Sequence, residues 1–189
     1  MLGICDGSGG SVGALVGERG MAYRNKTYVC FDGDTDIHYY RMMKAWHQSD
    51  NSIFNFYDAH DINSARDSSL EGSIKAQLRI RLANTRIFVV LVGERTRYLT
   101  KFVKWEMEQA LDLGLPIIAV NLNGLRQQDA DRCPPTIRHA LALHISFRAA
   151  IMQEALETWG ETSVRLRREG KSGPFYFNQA TYVRLGVQS

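Results

Sequence analysis

Cysteine is scarce in this chain. Its three thiols, Cys5, Cys30 and Cys133, are odd in number, widely spaced and form no CxxC pair. That pattern argues against a disulfide framework and a zinc knuckle, and fits a reducing cytoplasm. Long apolar runs are also missing, and none approaches the ~20 residues of a membrane span. The N-terminus lacks the charged and apolar segments of a secretion signal. Charge of one sign is missing too: the formal net charge is only +3, so nothing electrostatic points to nucleic acid as a partner. The one basic run, RLRREGK at 165–171, is interrupted by Glu169, has no interleaved aromatics and reads as a solvated face.

Other chemistries fail on spacing. His38, His47, His60, His139 and His144 show no metal-ligand spacing, so no metal site is expected from them. There is no G-x-S-x-G nucleophile elbow. Gly170-Lys171-Ser172 lacks the earlier glycine of a P-loop, with Arg165 in its place. Gly7-Ser8-Gly9-Gly10 has Val12 where a dinucleotide fingerprint needs its third glycine. Residues 1–20 hold seven of the 16 glycines and read as a loose leader ahead of Met21, with little to bury.

What is present is ordinary for a globular domain: 189 residues, 44% hydrophobic and 23% charged. The chain is organised around residues 86–121. RIFVVLV at 86–92 and PIIAVNL at 116–122 are near-continuous apolar runs, the pattern of parallel strands covered on both faces. A helix over 101–113 joins them into a βαβ crossover. Upstream, YVCF at 28–31 reads as a first strand and SIFNFY at 52–57 as a second. Between them a helix over 37–47 starts at Thr35 or Asp36 as N-cap. Ser68 and Glu71 form a capping box for a helix to about Ala83, with Leu70, Ile74, Leu78 and Leu82 on one face. Residues 136–142 read as a short helix, 143–147 as a last strand and 150–159 as a helix. Residues 161–173 read as a polar segment, and 175–177 with 182–183 as apolar anchors of a hairpin or flap.

The sum is an α/β, flavodoxin-like, doubly wound parallel sheet of about five strands with helices on both faces. The expected organisation is a leader over 1–20, a domain over 21–148 and an extension over 149–189 packing on or near the site. In such sheets the site lies beyond the carboxyl ends of the strands. That edge would collect residues 31–36, 58–61 and 93–100 and the start of the 101–113 helix. Asp32, Asp34 and Asp36 could hold Mg²⁺ there, or could serve the positive end of the following helix. An FMN-binding shell is disfavoured because this acidic turn repels phosphate. On the 101–113 helix, Val103, Met107, Ala110 and Leu111 should face the sheet, while Phe102, Glu106 and Gln109 form the neighbouring face. Glu106, bordered by Phe102 and Trp105, is either a partly desolvated carboxyl with a raised pKa or an acidic residue favouring the helix dipole.

The 28–31 strand, the long loop after Tyr57, the RIFVVLVGERT segment and Phe102-Val103-Lys104-Trp105-Glu106 together resemble a TIR-like domain. The likeness is to the TIR-like subunit of the bacterial Thoeris anti-phage system, a family also described as a flavodoxin-like domain of unknown function. It covers about residues 26–123. Its most specific piece is the motif W-[VC]-x-x-E: Phe102 replaces the Trp, Val103 matches and Glu106 falls on the family's catalytic glutamate. The first strand departs from the pattern, with Phe31-Asp32 where many TIR domains have a small hydroxyl residue before an aromatic. The resemblance implies cleavage of NAD, as substrate rather than cofactor, to nicotinamide and an ADP-ribose or cyclic ADP-ribose-type signal. Glu106 would be catalytic, and Phe31, Asp32, Asp58, Asp61, Phe102 and Trp105 would border the substrate. A homo-oligomer in the cytoplasm, passing a nucleotide signal to an effector, is the implied setting. The alternative is a non-catalytic TIR-like module acting by self-association. A receiver-like domain built on Asp32 and Asp34 would need a lysine at a later strand end, which VNLNG does not supply.

Overall fold

A computed structural model describes residues 2–6, 11–14, 26–49, 55–57 and 71–187. Strands β3 (Lys26–Cys30), β4 (Asn55–Tyr57), β5 (Ile87–Val92), β6 (Ile117–Asn121) and β7 (Ala142–Ser146) form a parallel sheet in the order β4-β3-β5-β6-β7. This is the flavodoxin-like arrangement expected from the alternating elements, with the switch in strand order between β3 and β5. Every residue of β5, β6 and β7 is buried, as continuous apolar strands covered on both faces must be.

The period of two along the strands divides the core. One face carries Val29, Val89, Leu91, Ile118, Val120, Leu143 and Ile145. On that side pack α1 (Ile37–Ser49), through Tyr40 and Met43, and α4 (Ala149–Arg168), through Ile151, Ala155, Leu156 and Trp159. The other face carries Tyr28, Cys30, Phe88, Val90, Val92, Ile117 and Ala119. There α2 (Glu71–Ala83) packs through Ile74, Leu78 and Leu82, the stripe read from the sequence, although Leu70 and Ser68 lie outside the described residues. The same face receives α3 (Phe102–Asp112) through Met107 and Ala110. Gly114, at φ 63°, ends α3. The Leu115 N–H donates to Ala110 O at 2.9 Å and the Gly114 N–H to Leu111 O at 2.9 Å, a Schellman closure that turns the chain into β6.

The two ends of the chain differ from the sequence reading. Within the first 20 residues, β1 (Leu2–Asp6) and β2 (Ser11–Ala14) pair antiparallel, and these nine residues are strand. β1 pairs antiparallel with β8 (Pro174–Phe177), which itself runs parallel to β7. The 175–177 anchor is thus a sixth parallel strand, not a hairpin or flap, and α5 (Gln179–Arg184) follows it. Residues 136–142 form turns rather than a helix up to the start of β7. α4 runs on to Arg168, and the basic run supplies Arg165, Arg167 and Arg168 to its last turn, where cations suit the helix dipole. Among the described residues no helix is long and apolar enough to cross a membrane.

Candidate active site

α3 starts beside the carboxyl end of β3, where the Cys30 thiol lies 3.9 Å from Val103 O. One turn further, Glu106 is 3% exposed and buries with Met107 and Ala110. It therefore faces the sheet, not the neighbouring helix face that the spacing suggested. The difference arises because Tyr28 and Cys30, two successive residues of β3 on this face, leave polar atoms for a carboxyl to meet. Burial pushes the Glu106 carboxyl up to about 7, outweighing the lowering by the Cys30 thiol and the Tyr28 hydroxyl. The Tyr28 hydroxyl nonetheless makes no bond of full hydrogen-bond geometry. Burial, with Glu106 adding to it, also pushes Tyr28 and Cys30 upward. The result is a desolvated carboxyl half protonated near neutrality, the condition in which one group can both hold a proton and face positive charge.

Phe102 and Trp105 pack partly buried against the same core. Trp105 turns its ring outward, under Lys75 Nζ at 5.8 Å and Arg79 Cζ at 5.3 Å from its centroid. It lines an open cavity of about 350 Å³ between α2 and α3 with Glu71, Lys75, Thr100, Lys101, Lys104 and Glu108. Glu106 is not among the residues that line that cavity. Phe31 is not brought to this group. It lies on the opposite core face, stacked on Tyr40 with centroids 4.8 Å apart. The C-terminal extension also packs on that opposite face, through Trp159, Phe175, Phe177 and Tyr182. Asp58 and Asp61 lie outside the described residues.

Beyond β3 the chain makes a tight turn, closed by Asp34 N donating to Asp32 Oδ1 at 3.0 Å and Asp36 N to Asp32 O at 2.8 Å. Asp32 and Asp36 are 4% and 5% exposed. Burial raises Asp36; the Thr35 hydroxyl lowers it, Asp32 adds to the rise, and His38 and Arg132 lower it. Asp36 precedes α1 as expected of an N-cap, and its carbonyl accepts from Tyr39 N at 3.0 Å. Its carboxylate, however, is turned against Gly93, just past β5, so closely that a Cβ at Gly93 would collide with it. The sequence reads Thr35 or Asp36 as the N-cap of α1, and only the glycine at the β5 exit hints at this contact of Asp36. Thr96 completes this corner, its hydroxyl accepting from Gly93 N at 2.8 Å.

Next to it, the 122–141 loop is anchored by Asp129, which accepts from Asp131 N at 2.8 Å, Arg132 N at 2.9 Å and Asn123 Nδ2 at 2.7 Å. These bonds overcome burial and hold Asp129 below the usual carboxylate range. His144 on β7 is fully buried, with Gln128 Nε2 3.4 Å from its Nε2. Burial pushes it down to about 4, so it is neutral at ordinary pH.

The sheet order and the helices on both faces define an α/β, flavodoxin-like domain, the arrangement of the TIR-like class. Within that class the family is specific. The profile of the Thoeris protein ThsB, TIR-like domain, matches residues 28–127, and the chain belongs to this family. Membership carries the coarse function, signalling of the kind used in Thoeris anti-phage defence. No curated protein matches the chain.

Proposed function

We propose that the protein cleaves NAD, with Glu106 as the catalytic carboxylate, and releases nicotinamide and an ADP-ribose or cyclic ADP-ribose-type signal. The observation that carries this reading is the position and state of Glu106. It occupies the acidic place of the TIR-like helix motif, next to the switch point, with a carboxyl raised to about 7 by burial. In the reaction the C1′–N bond of the nicotinamide ribose breaks. Its electron pair neutralises the pyridinium, leaving an oxocarbenium-like centre at C1′. Ionised Glu106 stabilises that charge in a low-dielectric site, where such an interaction is strongest. A water then adds to C1′ and loses its proton, or a nitrogen of the same molecule's adenine closes the ring. The leaving group departs neutral, so no general acid is required. Assembly into a homo-oligomer, in the cytoplasm, and transfer of the product to an effector complete the reading.

A second reading is favoured by a different feature of the same residue. At 3% exposure, among Tyr28, Cys30 and Met107, Glu106 is also a packed structural carboxyl, and the domain then signals by self-association alone. Mass spectrometry of NAD incubated with concentrated protein separates the two. Nicotinamide release by the unsubstituted chain, and none by Glu106→Gln, is the expected result. No release by either moves the function to self-association, and equal release by both removes Glu106 from the chemistry.

A further inference from the structure

We propose that Asp32 and Asp36 form an acceptor pair for a ribose cis-diol, with Asp36, set against Gly93, selecting a ribose whose two hydroxyls are both free. The inference rests on the NAD-cleaving reading, and adds to it a residue whose place at the start of α1 suggested only a cap.

The two carboxylates stand at the carboxyl ends of the two strands that flank the switch point. Asp32 lies two residues past β3, and Asp36 reaches the exit of β5 by packing on Gly93. Each spends one oxygen internally: Asp32 Oδ1 accepts from Asp34 N, and Asp36 Oδ1 from the Thr35 hydroxyl at 3.2 Å. Each keeps its other oxygen, Oδ2, buried and without a hydrogen-bond partner. A shielded carboxylate oxygen left unpaired is costly, so two of them in one turn, at the edge where such sheets bind ligands, call for an explanation. An N-cap aspartate could bond the free amides of α1, but the oxygen that faces Gly93 caps nothing. The glycine is what permits this, since a side chain there would occupy the carboxylate's place.

The free valences decide the ligand. Two acceptors match the two O–H donors of a vicinal diol, and hydrogen bonds from hydroxyls to carboxylates are short and strong. A divalent cation needs six or more oxygens, and among the described residues no third His, Cys, Asp or Glu joins this pair in a metal-holding group. The Arg132 guanidinium, which acts on Asp36, further disfavours a dication and suits a neutral donor. A phosphate on either hydroxyl would remove a donor and set negative charge against two carboxylates. The pair should therefore accept NAD and reject its 2′-phosphorylated counterpart.

The test uses the full chain carrying Glu106→Gln, so that ligand is not consumed. NAD, ADP-ribose and adenosine are titrated by calorimetry, each beside its 2′-deoxy form, and NAD beside NADP. Loss of one hydroxyl, or addition of the phosphate, should weaken binding by tenfold or more. Adding Asp36→Asn, or Asp32→Asn as the second variant, should weaken the parent ligands similarly and leave the deoxy ligands unchanged; thermal melts establish that each variant is folded. The proposal is overturned if parent and deoxy ligands bind alike, if Asp36→Asn weakens both equally, or if no ligand of the panel binds. Saturable Mg²⁺ binding that Asp36→Asn abolishes would overturn it in favour of a metal. Diol-dependent binding of ADP-ribose, while the unsubstituted chain leaves NAD uncleaved, keeps the acceptor pair and removes the NAD-cleaving reading. NAD cleavage without any diol dependence does the reverse.

Discussion

Replacing Glu106 by Gln should shift the stability difference in the variant's favour as pH rises. The Glu106 carboxyl is raised from 4.5 to about 7 by burial, so the folded protein keeps a proton that the unfolded chain gives up. Stability from this group is fully present below pH 4.5 and is lost as pH rises through 7. The linkage penalty is about 0.8 kcal/mol at pH 5 and about 3 kcal/mol at pH 8. Glutamine has nearly the same shape and carries no charge, so the penalty vanishes in the variant. Its amide must still find room among Tyr28 and Cys30, and leaving a donor unpaired costs about 1–3 kcal/mol at every pH. The pH dependence is therefore the cleaner quantity. Urea unfolding of both proteins from pH 5 to pH 8.5 should show the variant gaining about 2.5 kcal/mol on the unsubstituted chain across that span. Contributions of all other groups cancel in the difference, because they are common to both. A difference that stays constant between pH 5 and pH 8 would refute the argument, since it would mean that Glu106 titrates alike in folded and unfolded chains. Catalytic groups held in environments that oppose their charge commonly trade stability for function in this way.

The opposite slope belongs to His144. Burial lowers it from 6.5 to about 4, so stability present above pH 6.5 is lost as pH falls toward 4, by roughly 3 kcal/mol; thermal melts at pH 7 and pH 4.5 should show His144→Gln losing much less than the unsubstituted chain. Glycine-to-alanine changes should differ in sign with backbone conformation. Gly114→Ala places a Cβ at φ 63° and should cost about 1–2 kcal/mol. Gly72→Ala, inside α2 with open space around it, should gain about 0.5–1 kcal/mol, both read from urea midpoints.

Much of this protein was determined by local sequence. The apolar runs at 87–92 and 117–121, joined by a helix, point to buried parallel strands because a sheet layered by helices covers both faces of such segments. The four-residue spacing of Ile74, Leu78 and Leu82 dictates the inner face of α2. Alternating strands and helices then leave a doubly wound sheet as the natural arrangement. The motif on α3 marked Glu106, although its spacing misjudged which way the side chain turns.

What only the tertiary structure decided depends on partners distant in the chain. Glu106 faces inward because Tyr28 and Cys30 of β3 lie beneath it. Phe31 turns away because alternation along β3 assigns it to the other face, onto Tyr40. β8 is four residues long and becomes a strand through pairing with β7 on one side and β1 on the other. Asp36 looks like any helix cap until Gly93, brought alongside by the pairing of β3 with β5, takes up its carboxylate. Periodicity is a property of neighbours in sequence and survives in the bare chain. The burial and pairing that tune a carboxylate come from groups that meet only when the sheet has formed, and so the elements were legible beforehand while the state of the site was not.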